Sequence, residues 1–188
     1  MKLLVVRVRA ERDEIALRLA GDDVLPEANV VMNRAFTVAG SPAEVWPWLA
    51  QLGKDRAGWY LPSAGERLLP RGRRAARSLD ERWQHLQIGD VVPDYGGRQE
   101  TLEVRQIETG RHVVYWSRRG HVSLTWSISL QPVGDLAEET RVRLRLRLAG
   151  VRHPRLARTA GELLDALTVA GMAAGLRERL ETSRLSTS

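Results

Sequence analysis

Few side chains in this 188-residue chain could do chemistry. The sequence has no cysteine, which excludes disulfides, thiolate metal sites and cysteine nucleophiles. Its four histidines, His85, His112, His121 and His153, lack the spacing of metal ligands. The nucleophile elbow GxSxG, the zinc motif HExxH, the Walker A loop and the GxGxxG fingerprint are also absent from the sequence. We therefore expect no metal, no cofactor and no covalent nucleophile.

Two side chains remain as candidates for general acid/base catalysis. His85 has an unperturbed pKa of about 6.5 and would serve best if it faces a pocket. It lies two residues from Trp83, so the two cannot share one face of a regular helix, and a surface or capping role is the alternative. Tyr115 is the preferred polar group inside the predicted sheet, as a hydrogen-bond donor to a ligand carbonyl. A half-buried position at the sheet margin is the alternative for this tyrosine.

An antiparallel sheet is predicted for the part of the chain after Gly89. Short runs of alternating or apolar residues are separated by turn residues, and the connections are too short for crossover helices. The predicted strands are Asp90–Val92, Thr101–Ile107, Val113–Ser117, Val122–Leu130 and Arg141–Leu148, preceded by a first strand at Val30–Val38.

Alternation along these strands predicts which side chains point inward. In the fourth of the five later strands, Leu124 and Trp126 share the apolar face. A two-residue turn at Arg119-Gly120 would place Tyr115 opposite Leu124, on the same face, with Trp116 on the other; a three-residue turn would reverse this. In the last strand, four arginines alternate with apolar residues, which predicts one solvated face and one buried face.

A long helix is predicted over about residues 154–181. Its middle, Ala166–Leu176, contains no charged residue, which indicates burial on most sides. Gly161, Gly171 and Gly175 lower the helix propensity of this segment. Either close approach to the sheet or room for a ligand would explain them.

Two short helices are predicted between the first strand and the remaining strands. The first, residues 42–52, starts with a capping box from Ser41 to Glu44. The second covers residues 79–87. The polar stretch between them, residues 61–78, holds an arginine cluster and is predicted to be a solvated loop; an anion contact or a flap over a pocket is the alternative.

Three segments resemble the START/SRPBCC superfamily, which includes polyketide cyclase/dehydrase-like and lipid-transfer-like proteins. They are VWPWLAQLGKDRAGWY (residues 45–60), LQIGDVVP (86–93) and GMAAGLRERLE (171–181). The resemblance covers roughly residues 21–182 and implies an α+β helix-grip fold, in which a curved antiparallel sheet wraps a long C-terminal helix around an apolar cavity. We therefore expect one START-like domain over residues 21–188, after an N-terminal lead-in of residues 1–20.

The residues expected to bind a ligand in this cavity come from three sources. They are Trp59 and Tyr60 from the resemblance, Tyr115, Leu124 and Trp126 from strand alternation, and Leu167, Gly171 and Met172 from the uncharged part of the helix.

The composition limits the classes of binding partner that we expect. The net charge is +6, but the arginines are spread along the chain, so we expect no nucleic-acid partner. No apolar run reaches the roughly 18 residues of a membrane span, so we expect no membrane insertion and a cytoplasmic location.

The sequence therefore predicts binding of a hydrophobic small molecule, such as a lipid, a polyketide or an aromatic metabolite. One alternative is a polyketide cyclase/dehydratase-like enzyme that uses Tyr115 or His85 as its acid/base. The other is an arginine-rich surface on the last strand that binds an anionic partner.

Overall fold

One sheet and one long helix dominate the structure, a computed structural model that describes residues 7–97 and 99–187, without the side chains of residues 160, 186 and 187. The elements are α1 (Arg12–Ala16), β1 (Val30–Ala39), α2 (Pro42–Ala50), α3 (Ser63–Glu66), β2 (Val91–Pro93), β3 (Thr101–Glu108), β4 (His112–Arg119), β5 (Val122–Val133), β6 (Glu139–Ala149) and α4 (Pro154–Thr187). Within the described residues, no helix combines the length and hydropathy that a membrane span requires.

The six strands form a single antiparallel sheet in the order β1-β6-β5-β4-β3-β2. Strands β2 to β6 lie next to their neighbours in the chain because only turns and loops join them. Strand β1 pairs with β6, so the first and last strands lie side by side. With α4 packed against the sheet, this arrangement confirms the predicted α+β helix-grip fold.

Helix α2 begins as predicted. The Ser41 hydroxyl accepts a hydrogen bond from the Glu44 backbone N–H at 3.4 Å, and the Glu44 carboxylate accepts one from the Ser41 N–H at 2.7 Å. This reciprocal pair is a capping box, and Pro42 follows Ser41 as the first helical residue.

The prediction of a helix over residues 79–87 is wrong, because this stretch contains only a 3-10 turn at Glu81–Trp83. Side chains bind the carbonyl groups that a longer helix would need. Arg56 Nη2 donates to the Trp83 carbonyl at 3.0 Å, and Gln84 Nε2 donates to the Asp80 carbonyl at 3.3 Å.

The C-terminal half of α4 is held tightly against the segment that follows α2. A Cβ at Gly175 would lie 2.6 Å from the Leu61 backbone nitrogen, so a glycine is needed for this approach. The fully buried Arg179 side chain pairs with Glu66 at 2.7 Å. Its guanidinium also donates to the carbonyls of Ala76 at 2.7 Å and Leu61 at 3.3 Å. Close packing thus explains Gly175, although the partner is this segment and not the sheet.

The arginine cluster of residues 71–77 is divided between two environments. Arg77 pairs with Glu66 at 2.7 Å and with Glu178 at 3.1 Å, which ties the predicted loop to α4. Arg71 and Arg73 are exposed.

The outer face of the sheet, turned away from α4, carries the alternating arginines of β6. The prediction of a solvated face here is wrong, because residues 9–26 pack across it. Arg145 is only 4% exposed, and it donates to Asp22 at 2.6 Å and to the Leu17 carbonyl at 2.9 Å. Arg147 pairs with the other oxygen of Asp22 at 3.1 Å.

Glu14 of α1 supplies the remaining counter-charge on the outer face. Its carboxylate accepts hydrogen bonds from Arg141 at 2.7 Å and from Arg143 at 3.0 Å. These contacts contradict the hypothesis that the arginines of β6 form a surface for an anionic partner. The carboxylates that pair with these arginines belong to the N-terminal segment of the same chain. The first six residues lie outside the described part of the chain, and the domain boundary at residue 21 stays a prediction.

The Glu14 cluster makes stability depend on pH. Hydrogen bonds from Arg141 lower the pKa of Glu14 from its ordinary 4.5 to about 2. Because the folded pKa is depressed, the stabilisation is present above about pH 4.5 and is lost as the pH falls towards 2. We expect Glu14→Gln to lower the free energy of unfolding by about 2 kcal/mol at pH 7 and by much less at pH 3.

Urea denaturation at both pH values measures this difference. Asp13→Asn is the matched control, because it removes a neighbouring exposed carboxylate from the same helix. Equal losses for the two variants at pH 7 would show that the outer-face cluster does not stabilise the fold.

The glycines of α4 allow a second test of the packing. Alanine gains about 1 kcal/mol of helix propensity over glycine. At Gly175 this gain is outweighed by the clash with the Leu61 backbone, so we expect Gly175→Ala to lower the free energy of unfolding by about 1–3 kcal/mol. At Gly161 the nearest atom is Met32 Sδ at 3.5 Å, so Gly161→Ala should be neutral or stabilising. Thermal unfolding of both variants checks the difference, and a stabilised Gly175→Ala would disprove the tight contact.

Candidate functional site

A cavity of about 640 Å³ lies between the sheet and α4. Its apolar walls come from both elements. They are Leu102 of β3, Leu124 of β5, Leu146 and Leu148 of β6, and Val169 of α4. The strand residues point towards the helix because alternate positions of each strand share one face. A cavity of this size and lining suits a small apolar ligand.

Aromatic rings form a continuous row along the cavity. The Trp59 and Trp126 ring centroids are 5.9 Å apart, and Tyr95 meets Trp59 edge-on at 6.5 Å. All three residues line the cavity. Trp59 is oriented by its indole N–H, which donates to the Thr168 carbonyl of α4 at 3.3 Å. The row presents large, oriented ring surfaces to a bound molecule.

A partly buried ion pair borders the cavity on the helix side. Asp165 of α4 lines the cavity, and its Oδ2 lies 2.9 Å from Nε of Arg34 on β1. The other guanidinium nitrogens of Arg34 donate to the carbonyls of Glu162 at 2.7 Å and Asn33 at 3.0 Å. Burial raises the pKa of Asp165 in spite of the opposing effect of Arg34. Asp165 is thus a carboxyl group in an apolar setting, the usual environment of a functional acid.

A second charged group lies at the opposite margin of the cavity. Arg119 at the end of β4 pairs with Asp94, and its Nε lies 3.4 Å from the Glu100 carboxylate. Asp94 and Arg119 both line the cavity, next to Tyr95. The guanidinium is therefore shared between two carboxylates.

Comparison of the sequence with family models and with curated proteins gives no match. The structure is similar to solved structures. DynU16, a protein in the dynemicin biosynthetic locus, aligns with a TM-score of 0.51 and 13% identity, over 82% of this chain and 48% of its own. A protein from Rhodobacter sphaeroides aligns with a TM-score of 0.50 and 13% identity, over 87% and 97%. A START superfamily protein from Mycobacterium smegmatis aligns with a TM-score of 0.42 and 15% identity, over 81% and 97%.

The chain shares its fold with DynU16 and with the Rhodobacter sphaeroides protein. At these sequence identities the likeness extends to the fold alone, because one scaffold carries many functions. What this chain does must therefore be argued from its own cavity.

Three of the eight predicted ligand-binding residues line the cavity: Trp59, Leu124 and Trp126. Tyr60 lies in the core instead. Its hydroxyl donates to the Trp48 carbonyl at 2.7 Å and accepts from Gln51 at 3.1 Å.

Tyr115 lies behind the cavity wall, stacked on Trp126 at 5.7 Å. The hairpin turn is Gly120-His121, so Tyr115 pairs with Trp126 and not with Leu124. A slip of two residues keeps every side chain on its predicted face, and Trp116 lies on the outer face as expected. Burial raises the pKa of Tyr115 to about 12. Tyr115 is therefore a poor acid/base near neutral pH.

The three predicted residues of α4 do not line the cavity. Leu167 is 65% exposed, and Gly171 faces Leu61, whose Cδ2 would lie 2.8 Å from an added Cβ. Met172 is fully buried in the core. The uncharged stretch indicates burial but not direction, because the segment after α2 covers part of it. Glycine at 171 therefore makes room for Leu61 and not for a ligand.

His85 is also misplaced as a catalytic residue. Its side chain is 72% exposed and lies 3.9 Å from Glu81, outside the cavity. This position supports the surface role that the sequence left open as the alternative.

The sequence contains a usable signal for only some of the lining residues that were not predicted. Leu146 and Leu148 belong to the apolar face of the arginine-rich strand, so alternation already pointed them inward. Asp165 interrupts an apolar stretch of the helix, and this isolated charge is a signal for a residue of the site. Asp94 and Tyr95 lie in a loop, and the sequence does not specify the path of that loop.

Trp126 should contribute less to stability than a tryptophan of the closed core, because part of its surface faces the cavity. We expect Trp126→Ala to lower the free energy of unfolding by about 2 kcal/mol, against about 3–5 kcal/mol for Trp48→Ala. Trp48 is 1% exposed and meets Tyr60 edge-on at 5.9 Å, which makes it the matched comparison. Urea denaturation measures both values. Equal losses would mean that Trp126 is a core residue and that the cavity is closed at that point.

Proposed function

We propose that this protein binds a hydrophobic small molecule in the cavity between the sheet and α4. The row formed by Tyr95, Trp59 and Trp126, together with the leucine and valine walls of the cavity, is the observation that carries this proposal. Burying a ring or chain against these surfaces releases water from apolar area on both partners, at about 25 cal/mol for each Å². The volume of about 640 Å³ falls within the range of about 300–1,000 Å³ that is usual for small-molecule sites.

The shape of the row favours a ligand that contains rings. Trp59 and Trp126 are tilted by 30° to each other and present adjacent ring faces. Offset stacking on such faces stabilises a flat aromatic or polyketide-like body more specifically than a flexible chain. Among the classes expected from the sequence, an aromatic metabolite or a polyketide therefore fits the site better than a lipid. The cytoplasmic location expected from the sequence stays a prediction.

The second candidate is a cyclase/dehydratase-like enzyme in the same cavity. Asp165 favours it, because this carboxyl group combines burial, a raised pKa and a place in the cavity wall. Asp165 replaces His85 and Tyr115 as the acid/base of this hypothesis. The likeness of the fold to DynU16, a protein in the dynemicin biosynthetic locus, is compatible with a biosynthetic role.

Filling the cavity tests the binding proposal. Leu146 is partly exposed within the cavity, so a larger ring there occupies ligand space at small cost to the core. We expect Leu146→Phe to weaken binding of the neutral probe 2-naphthalenemethanol at least about tenfold, the equivalent of 1.4 kcal/mol. Isothermal titration calorimetry measures the Kd.

Leu167→Phe is the matched control, because it adds the same ring on the exposed side of α4. Its Kd should equal that of the parent. If the parent binds no naphthalene probe, or if both variants bind as the parent does, the cavity is not the binding site.

Recovery of the ligand separates the two candidates. A natural ligand that is extracted unchanged after incubation with the protein supports binding alone. A ligand that is extracted with one water lost or one ring closed supports the enzyme.

A further inference from the structure

The charges in the cavity oppose the charge of the whole chain. The protein carries +6, yet among the described residues the charged groups that line its cavity are two carboxylates, Asp94 and Asp165, and one guanidinium, Arg119. Arg119 is shared between Asp94 and Glu100, so these three groups together carry one negative charge. The cavity therefore has a negative polar lining within a basic protein.

Asp165 has an incomplete set of partners. Among residues 7–97 and 99–187, its one ionic partner is Arg34, through Oδ2 at 2.9 Å. An ionised carboxylate can accept about four hydrogen bonds, but Asp165 Oδ2 is buried and accepts none from the described residues. Arg34 lies near this one oxygen only, and its Nη1 and Nη2 donate to the carbonyls of Asn33 and Glu162. A hydrogen-bond donor from a ligand would fill the remaining acceptor positions of the Asp165 carboxylate.

The aromatic row lies beside this carboxylate. Asp165 is one helical turn before Thr168, whose carbonyl accepts the indole N–H of Trp59. At the other end of the row, Asp94 is adjacent in sequence to Tyr95. Both carboxylates thus line the same cavity as the aromatic rings, and ring faces attract cations through their quadrupole.

Resting on the proposed function, we propose that the ligand is an apolar or aromatic amine whose protonated nitrogen binds Asp165 beside the faces of Trp59 and Trp126. The apolar body would then lie along the leucine wall. A protonated nitrogen adds a charge-assisted hydrogen bond and a cation–π contact to the apolar burial that every ligand of the cavity shares. An anionic ligand would meet two carboxylates, and the described guanidinium in the lining, Arg119, already pairs with Asp94 and Glu100.

Three probes with one apolar body test this assignment on the parent protein: 2-naphthylmethylamine, 2-naphthalenemethanol and 2-naphthoic acid. They present a cation, a neutral hydroxyl and an anion on the same ring system. We expect the amine to bind at least about tenfold more tightly than the alcohol, and the acid to bind most weakly. Calorimetric titration at pH 7 and low salt gives the three Kd values.

The variant Asp165→Asn tests whether Asp165 causes the preference for the amine probe. It keeps the shape of the side chain and removes the charge, so the amine should lose its tenfold advantage while the Kd of the alcohol stays unchanged. Glu162→Gln is the matched control, because it removes an equal charge from the exposed surface one turn earlier. Its three Kd values should match those of the parent. An unchanged Kd for the alcohol also shows that the cavity of Asp165→Asn is folded.

The outcomes separate this inference from the proposed function. An alcohol that binds as tightly as the amine, an acid that binds best, or an amine preference that survives Asp165→Asn overturns the inference and leaves the binding function in place. If Asp165→Asn does not fold, the probe series on the parent decides alone. If none of the three probes binds, the proposed function fails, and the inference fails with it.

Discussion

The structure depends most on one buried cation, Arg179 of α4. Its guanidinium stacks 4.3 Å from the Tyr60 ring, pairs with Glu66 and donates to the Ala76 carbonyl. A buried charge is tolerated only when its hydrogen bonds are met, and removing one partner costs about 3–5 kcal/mol. Because these partners belong to the segment after α2, Arg179 and the neighbouring Gly175 fix the C-terminal half of α4 in one position against that segment.

The fixed half of α4 leaves the preceding turns free to form a wall. Residues 169–180 are buried or half-buried, whereas Asp165 and Thr168 line the cavity. The opposite wall is the leucine face of β5 and β6. On the outer side of β6, the four arginines pair with Glu14 and Asp22 of the N-terminal segment. Strand β6 therefore borders the cavity on one face and is covered by the N-terminal segment on the other.

Local patterns in the sequence predicted the fold well, and the site less well. Strand alternation and turn residues gave all six strands and the inward direction of Leu124 and Trp126, because these properties follow from the period of two. Alternation could not show that residues 9–26 cover the arginines, since that contact joins parts of the chain more than 100 residues apart. The uncharged stretch of α4 predicted burial but could not show which neighbour buries each side, so Leu167 and Gly171 were misassigned. Asp165 was overlooked because one charge on a helix has no direction until the helix is docked.

The central claim is that a ligand lies against Trp59 and Trp126, and the indole N–H resonances of the six tryptophans test it most directly. In ¹H–¹⁵N spectra recorded during titration with 2-naphthalenemethanol, each tryptophan reports from its own place in the fold. If the ligand lies in the cavity, we expect large shifts for the indole N–H resonances of Trp59 and Trp126. We expect no shifts for Trp48 in the core or for Trp116, which packs under Arg105 on the outer face. Shifts confined to Trp48 or Trp116, or no shifts at a saturating concentration of probe, would contradict the claim.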